Sequence, residues 1–294
     1  MRILSRLLNN CRKPYRQIGM ELGISGGAVG SRISKMEKLG IIEKFCLKVE
    51  PPLLGLNMFY IVVNSQNQKE IIKNVKLAGM PFTIVPCVGG NTVIGVIVKE
   101  DMEQKIELLQ KLMQNVRVMS VFEADNTKIT HNLTRTDLEI LKQLIENTMK
   151  KIEQLSKETE LSTKTINRGL EKLESNESIQ FTLVFDPSKI EGFLCYAVVA
   201  ITQEDISKML KRFEKEFSED YLMIPFLAKN QIVLFLYSDS IFKMDEMTEK
   251  IAKVEGTITT ELFIPKKIDM PERWLEKRLE TLTKSQTLHI SQVN

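Results

Sequence analysis

Residues Leu22 to Ile42 have the sequence LGISGGAVGSRISKMEKLGII, and this stretch decides the fold of the amino-terminal part of the chain. Ser25 precedes a helical pattern, where its hydroxyl can accept a hydrogen bond from a backbone N–H that has no partner inside the helix. Val29, Ile33 and Met36 recur at helical spacing, so one side of this helix is apolar. The other side combines small residues with cations, which suit close approach to phosphates and to guanine edges. The pattern predicts the recognition helix of a helix-turn-helix.

A second short helix is predicted just before this one. It places Ile18 and Leu22 on one face and ends at Gly23. Two short helices joined by a tight glycine turn have the geometry of a DNA-binding helix-turn-helix. The residues that we expect to contact DNA in this unit are Arg12, Ser25, Gly26, Gly27, Ala28, Ser31, Arg32, Lys35 and Lys44.

Many separate positions in residues 1 to 48 match the pattern of one known family. The matching residues are Ile3, Leu4, Arg12, Ser25, Val29, Arg32, Ile33, Leu39, Gly40 and Ile42. Through them the segment resembles the N-terminal domain of the Lrp/AsnC family of archaeal and bacterial regulators, which implies sequence-specific DNA binding and transcription regulation. The segment departs from the family in having no acidic turn before its Ile-Leu pair, and we expect the first helix to be frayed.

The charge of this segment also favours duplex DNA as the partner. The whole chain carries a net charge of only +3, but residues 1 to 48 contain ten Lys or Arg and three Glu, a net charge of +7. A polyanion would be attracted to this segment, with an affinity that falls as salt rises. A merely solvated basic surface is the alternative interpretation.

Composition excludes several classes of protein. With 294 residues and 43% hydrophobic residues, the chain is long enough for two or more globular domains. No apolar run approaches the length of a membrane span, and the N-terminus lacks a signal-peptide pattern. The four cysteines are scattered without Cys-x-x-Cys spacing, which is typical of a reduced, cytoplasmic protein and predicts neither a disulfide framework nor a metal site. No motif indicates a cofactor.

The part that follows alternates strands and helices. Residues 43 to 48 are predicted to form a short wing strand, after which the order is βαββαβ, the ferredoxin-like arrangement of an antiparallel sheet with two helices on one face. The predicted strands are 58–65, 82–88, 91–99 and 116–124, and the predicted helices are 68–78 and 101–114.

From Leu138 onwards the chain repeats this design. Ile140-Leu141 matches Ile3-Leu4, Ser162 matches Ser25, and a second βαββαβ pattern follows. The fold class is therefore α+β, with two winged helix-turn-helix domains that are each followed by a ferredoxin-like domain. The predicted domains are 1–50 and 136–185 (winged helix-turn-helix), 51–126 and 186–265 (ferredoxin-like), 127–135 (linker) and 266–294 (C-terminal helix and tail). The helix is expected at 271–283, with Trp274 packing it onto a domain and disorder from Lys284.

The duplication extends the family resemblance over nearly the whole chain. Lrp/AsnC proteins are single-copy chains that associate through the ferredoxin-like domain, and amino acids or similar molecules often bind at their interfaces. The resemblance therefore implies a pseudo-dimer within one chain, with a homodimer of the chain also open. It also implies a small-molecule effector site, for which the candidates are Gly89, Gly90, Asn91 and Thr92; a plain hairpin turn is the alternative.

The two helix-turn-helix copies are not equivalent. Residues 133 to 181 carry eight Lys or Arg and nine acids, a net charge of −1. The second recognition helix nevertheless offers side chains that form hydrogen bonds with bases, which are Thr163, Lys164, Asn167 and Arg168. We expect the first copy to supply most of the affinity, and the second copy either to contact another half-site or to have a structural role.

Two other functions remain open on the sequence alone. Siroheme decarboxylases have the same fold and also occur as two-copy fusions, and the resemblance implies that their chemistry depends on His and Arg near a tetrapyrrole. This chain has only His131, in the predicted linker, and His289, in the tail, and the first ferredoxin-like domain has Arg117 as its only arginine, so we do not expect an enzyme. An assembly module whose helix-turn-helix units bind protein is the second alternative, favoured by the nearly neutral second copy.

Overall fold

A computed structural model describes residues 2 to 123 and 133 to 291, with side chains described as far as residue 284. Most of the predicted linker, including His131, lies outside the described residues, as does the side chain of His289. The helices are α1 (Arg2–Asn9), α2 (Tyr15–Leu22), α3 (Gly26–Lys38), α4 (Gln68–Ala78), α5 (Met102–Leu112), α6 (Arg135–Glu146), α7 (Ile152–Thr159), α8 (Thr163–Glu174), α9 (Ile206–Phe217), α10 (Ile241–Ala252) and α11 (Arg273–Ser291). The strands are β1 (Ile42–Val49), β2 (Asn57–Asn64), β3 (Met80–Pro86), β4 (Asn91–Val98), β5 (Arg117–Glu123), β6 (Ile179–Phe185), β7 (Leu194–Thr202), β8 (Tyr221–Ala228), β9 (Gln231–Ser238) and β10 (Thr257–Phe263).

The predicted duplication is confirmed by the sheet topology. One four-stranded antiparallel sheet has the order β3-β4-β2-β5, and the other has the order β8-β9-β7-β10, so equivalent strands of the two copies occupy equivalent places. In the first sheet, α4 and α5 cover one face, where Ile71, Val75 and Leu109 pack on Phe59 and Ile94. In the second sheet, α9 and α10 do the same. Each copy therefore has the expected ferredoxin-like arrangement.

The two sheets face each other with the sides that their helices leave bare. Val62 of β2 shares an apolar cluster with Ala197, Val199 and Val233 of the second sheet. The ring of Tyr60 lies 4.9 Å from that of Phe226, edge to face. Both faces are apolar because every second residue of each strand points to this side. The chain thus encloses, within itself, an interface between two similar domains.

Strands β1 and β6 do not pair with a strand of their own helix-turn-helix unit. They pair with each other as an antiparallel ribbon, in which Cys46 is opposite Thr182 and Leu47 is opposite Phe181. This ribbon joins the two copies before either chain segment enters its four-stranded sheet. The expected strand at 43–48 is present, but its partner comes from the other copy.

Each helix-turn-helix packs on the sheet of the other copy. Leu4, Leu7 and Leu8 of α1 share a core with Phe185 and with Leu222 of β8. The core of α6 to α8 includes, in turn, apolar residues of the first copy, which are Leu47, Val49, Leu53, Leu54, Leu56, Met58, Tyr60, Phe82 and Ile97. The two halves of the chain are therefore crossed: each sheet and its own two helices form a core within one half, but each helix-turn-helix completes its core with residues of the other half.

Two expectations at the chain ends were wrong. Helix α1 is regular rather than frayed, because Leu4, Leu7 and Leu8 are at most 2% exposed and packing replaces the missing cap. Helix α11 does not end near Thr283 but continues to Ser291, through residues that include neither Gly nor Pro to stop it. Trp274 packs it against Phe82 as expected, with ring centroids 6.4 Å apart.

Candidate nucleic-acid interface

The first helix-turn-helix has the predicted geometry. Gly23 ends α2 with a positive φ of 68°, a conformation that favours glycine. Ser25 then caps α3, its Oγ accepting a hydrogen bond from the backbone N–H of Ala28 at 3.1 Å. A Cβ at Gly19 would lie 2.5 Å from the carbonyl oxygen of Ile24, so the close approach of α2 to this turn requires glycine there. These contacts fix the angle at which α3 is presented.

One face of α3 is free for a ligand, and most of the predicted contact residues lie on it. Gly27, Ser31, Arg32 and Lys35 are exposed, whereas Val29 and Ile33 on the opposite face are at most 1% exposed. Ser25 is also exposed, and Gly26 and Ala28 are half-buried. The surface is therefore smooth at the helix start and positively charged one turn later.

Arg16 is a cation at this face that sequence reasoning missed. It lies exposed in the first turn of α2, and a Cβ at Gly26 would be 3.1 Å from its Cα, so Arg16 is next to the start of α3. Within the part of the chain that the structure describes, no ion pair engages Arg16, Arg32 or Lys35. By contrast, Glu21 neutralises Arg6, at 3.0 Å, and Lys13. The position of Arg16 was visible in the sequence, but its nearness to α3 depends on the tight packing over Gly26.

Arg12 does not lie on this face, in contrast to the expectation. Its guanidinium donates hydrogen bonds to the carbonyl oxygens of Thr148, at 2.6 Å, and Lys150, at 3.0 Å. It also lies 3.7 Å from Glu174 and packs on the ring of Phe181, with its side chain only 11% exposed. Burial lowers the pKa of this guanidinium, which the neighbouring Glu174 partly offsets. The family-like arginine thus joins the first helix-turn-helix to the second, and we leave it out of the contact surface.

Lys44 is also engaged within the chain. Its ammonium lies 2.9 Å from a carboxylate oxygen of Glu272, the residue just before α11, and its side chain is 44% exposed. Such an exposed pair is weak, so Lys44 can exchange this partner for a phosphate. Lys44 is therefore still predicted to contact DNA, provided that it releases Glu272 when a phosphate is present.

The second helix-turn-helix presents a different surface. Ser162 caps α8 by accepting from the N–H of Thr165 at 3.1 Å, and Thr163, Lys164, Asn167 and Arg168 are all exposed. Ion pairs neutralise much of the rest of this unit, since Lys172 binds Asp137 and Lys150 binds Glu146 and Glu158. The four side chains named in the sequence all lie on the exposed face of α8, where they are available for bases or phosphates.

The predicted effector residues form a tight turn at the edge of the first sheet. The side-chain amide of Asn64 donates to the carbonyl oxygen of Gly89, at 3.1 Å, and to the side-chain oxygen of Asn91, at 2.6 Å. Thr92 is 1% exposed, and its hydroxyl has no hydrogen-bond partner among the described residues. The hydrogen bonds of Asn64 thus stay within the turn, and an effector site at these residues stays a prediction.

A cavity lies between the two facing sheets, and we call it the inter-sheet cavity. Its volume is about 660 Å³, which is within the usual range for small-molecule sites. Tyr60, Val62 and Phe122 line it from the first sheet, and Val199 and Phe226 line it from the second. None of the four predicted effector residues borders it. No signal in the sequence pointed to it, because it depends on how the two copies face each other.

No cluster of His, Cys, Asp and Glu suited to a metal ion occurs among the described residues. In the same parts of the chain, none of the helices combines the length and the apolar character that crossing a bilayer needs.

Comparisons with known proteins place the chain among regulators. The AsnC-type helix-turn-helix domain family matches residues 1–37. The HTH-type transcriptional regulator Ptr1 of Methanocaldococcus jannaschii is 40% identical over 62 residues, which are 21% of this chain and 42% of that protein. An uncharacterized HTH-type transcriptional regulator of Pyrococcus furiosus is 31% identical over 141 residues, 47% of this chain and 93% of that protein.

Among solved structures, the siroheme decarboxylase NirDL covers 96% of this chain and 98% of its own length, with a TM-score of 0.50. The sequence identity is 14%, so this likeness concerns the fold alone. It does show that the complete two-copy architecture occurs in another protein.

Proposed function

We propose, from the premise that the chain belongs to the Lrp/AsnC family of transcriptional regulators, that its first helix-turn-helix binds duplex DNA in the major groove through α3. The observation that carries this proposal is the exposed face of α3, on which Arg32 and Lys35 stand without an ion-pair partner among the described residues. Gly27 and Ser31 keep the rest of that face small, which allows the helix backbone to approach base edges. Arg16 adds a cation for the phosphates on one flank.

We further propose that α8 contacts a second, different half-site. The ribbon of β1 and β6 and the contacts of Arg12 hold both helix-turn-helix units in one body, as a dimer interface does in two-chain regulators. The two recognition helices differ in their exposed residues, so a single chain acts as a pseudo-dimer with unequal halves. Its operator is then not palindromic.

The test starts with selection of bound fragments from a random DNA pool. Arg32→Ala with Lys35→Ala is expected to weaken binding to the selected fragment at least tenfold and to reduce the slope of log affinity against log salt by about two, since two phosphate or base-edge cations are lost. Lys69→Ala with Lys73→Ala is the matched control, because it removes the same charge from the exposed side of α4. Equal affinity of the two double variants would contradict the placement of the DNA surface.

Asn167→Ala with Arg168→Ala tests the second unit. Repeating the selection with this variant is expected to remove the sequence preference from one half of the site while the other half is retained. If neither pair of substitutions changes binding, the chain is an assembly module rather than a DNA-binding protein.

We propose that the chain is not an enzyme of the decarboxylase type, although it shares that fold. The inter-sheet cavity is lined by no His and no Arg from the described residues, whereas five Glu and one Lys border it. A decarboxylase must hold a carboxylate, which this balance of charge repels. An effector site at residues 89 to 92, for an amino acid or another small molecule, stays a prediction, as does a location in the cytoplasm.

A further inference from the structure

Glu50, one of the residues that line the inter-sheet cavity, has a carboxylate oxygen that its own protein leaves unsatisfied. Glu50 follows β1 and lines the cavity, and its side chain is 17% exposed. One carboxylate oxygen lies 2.7 Å from the ammonium of Lys48, but Oε2 is buried and has no hydrogen-bond partner among the described residues. A buried carboxylate oxygen without a donor is costly, and such a group in a cavity calls for a donor from a ligand or an ion.

The charges around the cavity favour a cation. Lys48 is the single cation among the described residues that line it, and it is already paired with Glu50. Four further glutamates line it, Glu174, Glu177, Glu214 and Glu261, of which Glu174 is already paired with Arg12. Negative groups around a hollow with low-dielectric walls concentrate cations in it and repel anions.

The side chains that line the cavity favour a cation that also carries an apolar group. Tyr60 and Phe122 stack with their ring centroids 5.2 Å apart, and Phe226 meets Tyr60 edge to face from the opposite sheet. Aliphatic side chains of both sheets, Val62 and Val199 among them, complete the lining. Aromatic faces close to a carboxylate suit an ammonium through cation–π attraction and an apolar chain through burial.

We propose that the inter-sheet cavity binds an organic amine, with the protonated nitrogen donating to Oε2 of Glu50 and the apolar part lying between the two sheets. Glu50 stands on the segment that joins the first helix-turn-helix to its sheet, and its backbone N–H donates to the carbonyl oxygen of Ser178, which lies between α8 and β6 of the second copy. Both residues line the cavity, so an occupant lies next to segments of both copies. This site does not depend on DNA binding, and its test uses no DNA.

The test compares three probes that share one apolar body and differ in charge. Calorimetric titration of the full chain with 3-phenylpropylamine is expected to give saturable binding, 3-phenylpropanol to bind about tenfold more weakly, and 3-phenylpropionate not to bind, because only the amine satisfies the carboxylate with a charged donor. Absence of saturable binding of the amine up to millimolar concentrations, or equal binding of the anion, would overturn the proposal.

Two variants locate the binding. Glu50→Gln is expected to remove the preference for the amine over the alcohol, whereas Glu103→Gln, the same change on the exposed side of α5, should leave it intact. Val199→Phe reduces the volume of the cavity and leaves Glu50 unchanged, so it should weaken the binding of every probe that binds the native chain. Circular dichroism checks that the variant is folded. A preference for the amine that survives Glu50→Gln would show that the amine binds elsewhere and would end the proposal.

Discussion

Arg12 and Arg16 are four residues apart in one basic segment, yet the structure gives them opposite tasks. Arg12 is nearly buried and bonded to two carbonyl oxygens of the other copy, whereas Arg16 is exposed beside α3. We expect Arg12→Ala to lower the free energy of unfolding by about 2 to 3 kcal/mol, since two buried carbonyls lose a charged donor. Arg16→Ala should leave urea unfolding nearly unchanged and weaken DNA binding. The same stability for both variants would contradict the separation of roles.

The four cysteines make a second prediction at the residue scale. Burial raises the pKa of Cys11, Cys46 and Cys195 to about 12 and that of Cys87 to about 11, from the 9.0 of an exposed thiol. The folded chain keeps these thiols protonated, while the unfolded chain releases their protons above pH 9. Their stabilising effect is therefore complete below about pH 9, falls progressively above it by up to about 1.4 kcal/mol per thiol and pH unit, and is fully lost once the pH has risen through the folded pKa values of about 11 and about 12.

Urea unfolding at pH 8 and pH 10 measures this loss. A variant with alanine at all four positions should retain only the smaller loss that comes from buried tyrosines such as Tyr60, whose pKa burial also raises. An unchanged pH dependence in that variant would assign the whole effect to other groups.

At the scale of single elements, the turn before α8 carries a strain that the turn before α3 avoids. Glu160 has a positive φ of 58°, where the first copy has Gly23 with a φ of 68°. A side chain in this conformation costs about 1 kcal/mol or more, and glycine recovers part of that at the expense of chain entropy. Glu160→Gly should thus raise the free energy of unfolding by up to about 1 kcal/mol, whereas Glu153→Gly inside α7 should lower it by a similar amount. Thermal unfolding of both variants checks the signs.

Helix α11 has no counterpart in the first copy within the described residues, and its packing gives a further test. Leu279 is fully buried against the core of α6 and α8, and Arg278 donates two hydrogen bonds to the carbonyl oxygen of Leu54. Leu279→Ala should cost about 2 to 5 kcal/mol through the cavity that it leaves. Leu77→Ala, at a site that is 60% exposed, is the matched control and should be nearly neutral. The fluorescence of the single tryptophan, Trp274, reports the unfolding of this region directly.

The sequence predicts those elements whose causes are local. Ser25, Gly23 and the spacing of Val29 and Ile33 specify the turn and α3 from neighbouring residues alone, and they were located correctly. Arg12 was misplaced because its partners are about 136 residues away in the chain, and a guanidinium that suits a phosphate suits two backbone carbonyls equally well. The inter-sheet cavity was invisible for the same reason, since alternating apolar residues indicate a buried face but not what covers it.

At the scale of the whole molecule, the crossed packing joins the two copies of the duplicated sequence into one folded unit. Each helix-turn-helix completes its core with residues of the other copy, and β1 and β6 supply each other's ladder partners. The inter-sheet cavity is lined by residues of both ribbon strands, among them Lys48 of β1 and Gln180 of β6, and these strands follow α3 and α8 in the chain. An occupant of the proposed site would therefore lie next to the strand that follows each recognition helix.

The same packing predicts how the chain behaves when it is divided. Residues 1–126 and 127–294, produced together as two separate chains, should purify as a one-to-one complex, because Leu4 and Leu7 of one fragment and Leu222 of the other share a core. Each fragment produced alone exposes the face of its sheet and half of each helical core, and should aggregate or self-associate. Gel filtration with light scattering distinguishes these states. Two fragments that are each monomeric, and that ignore each other when mixed, would show that every helix-turn-helix folds on its own sheet and that the crossing does not hold.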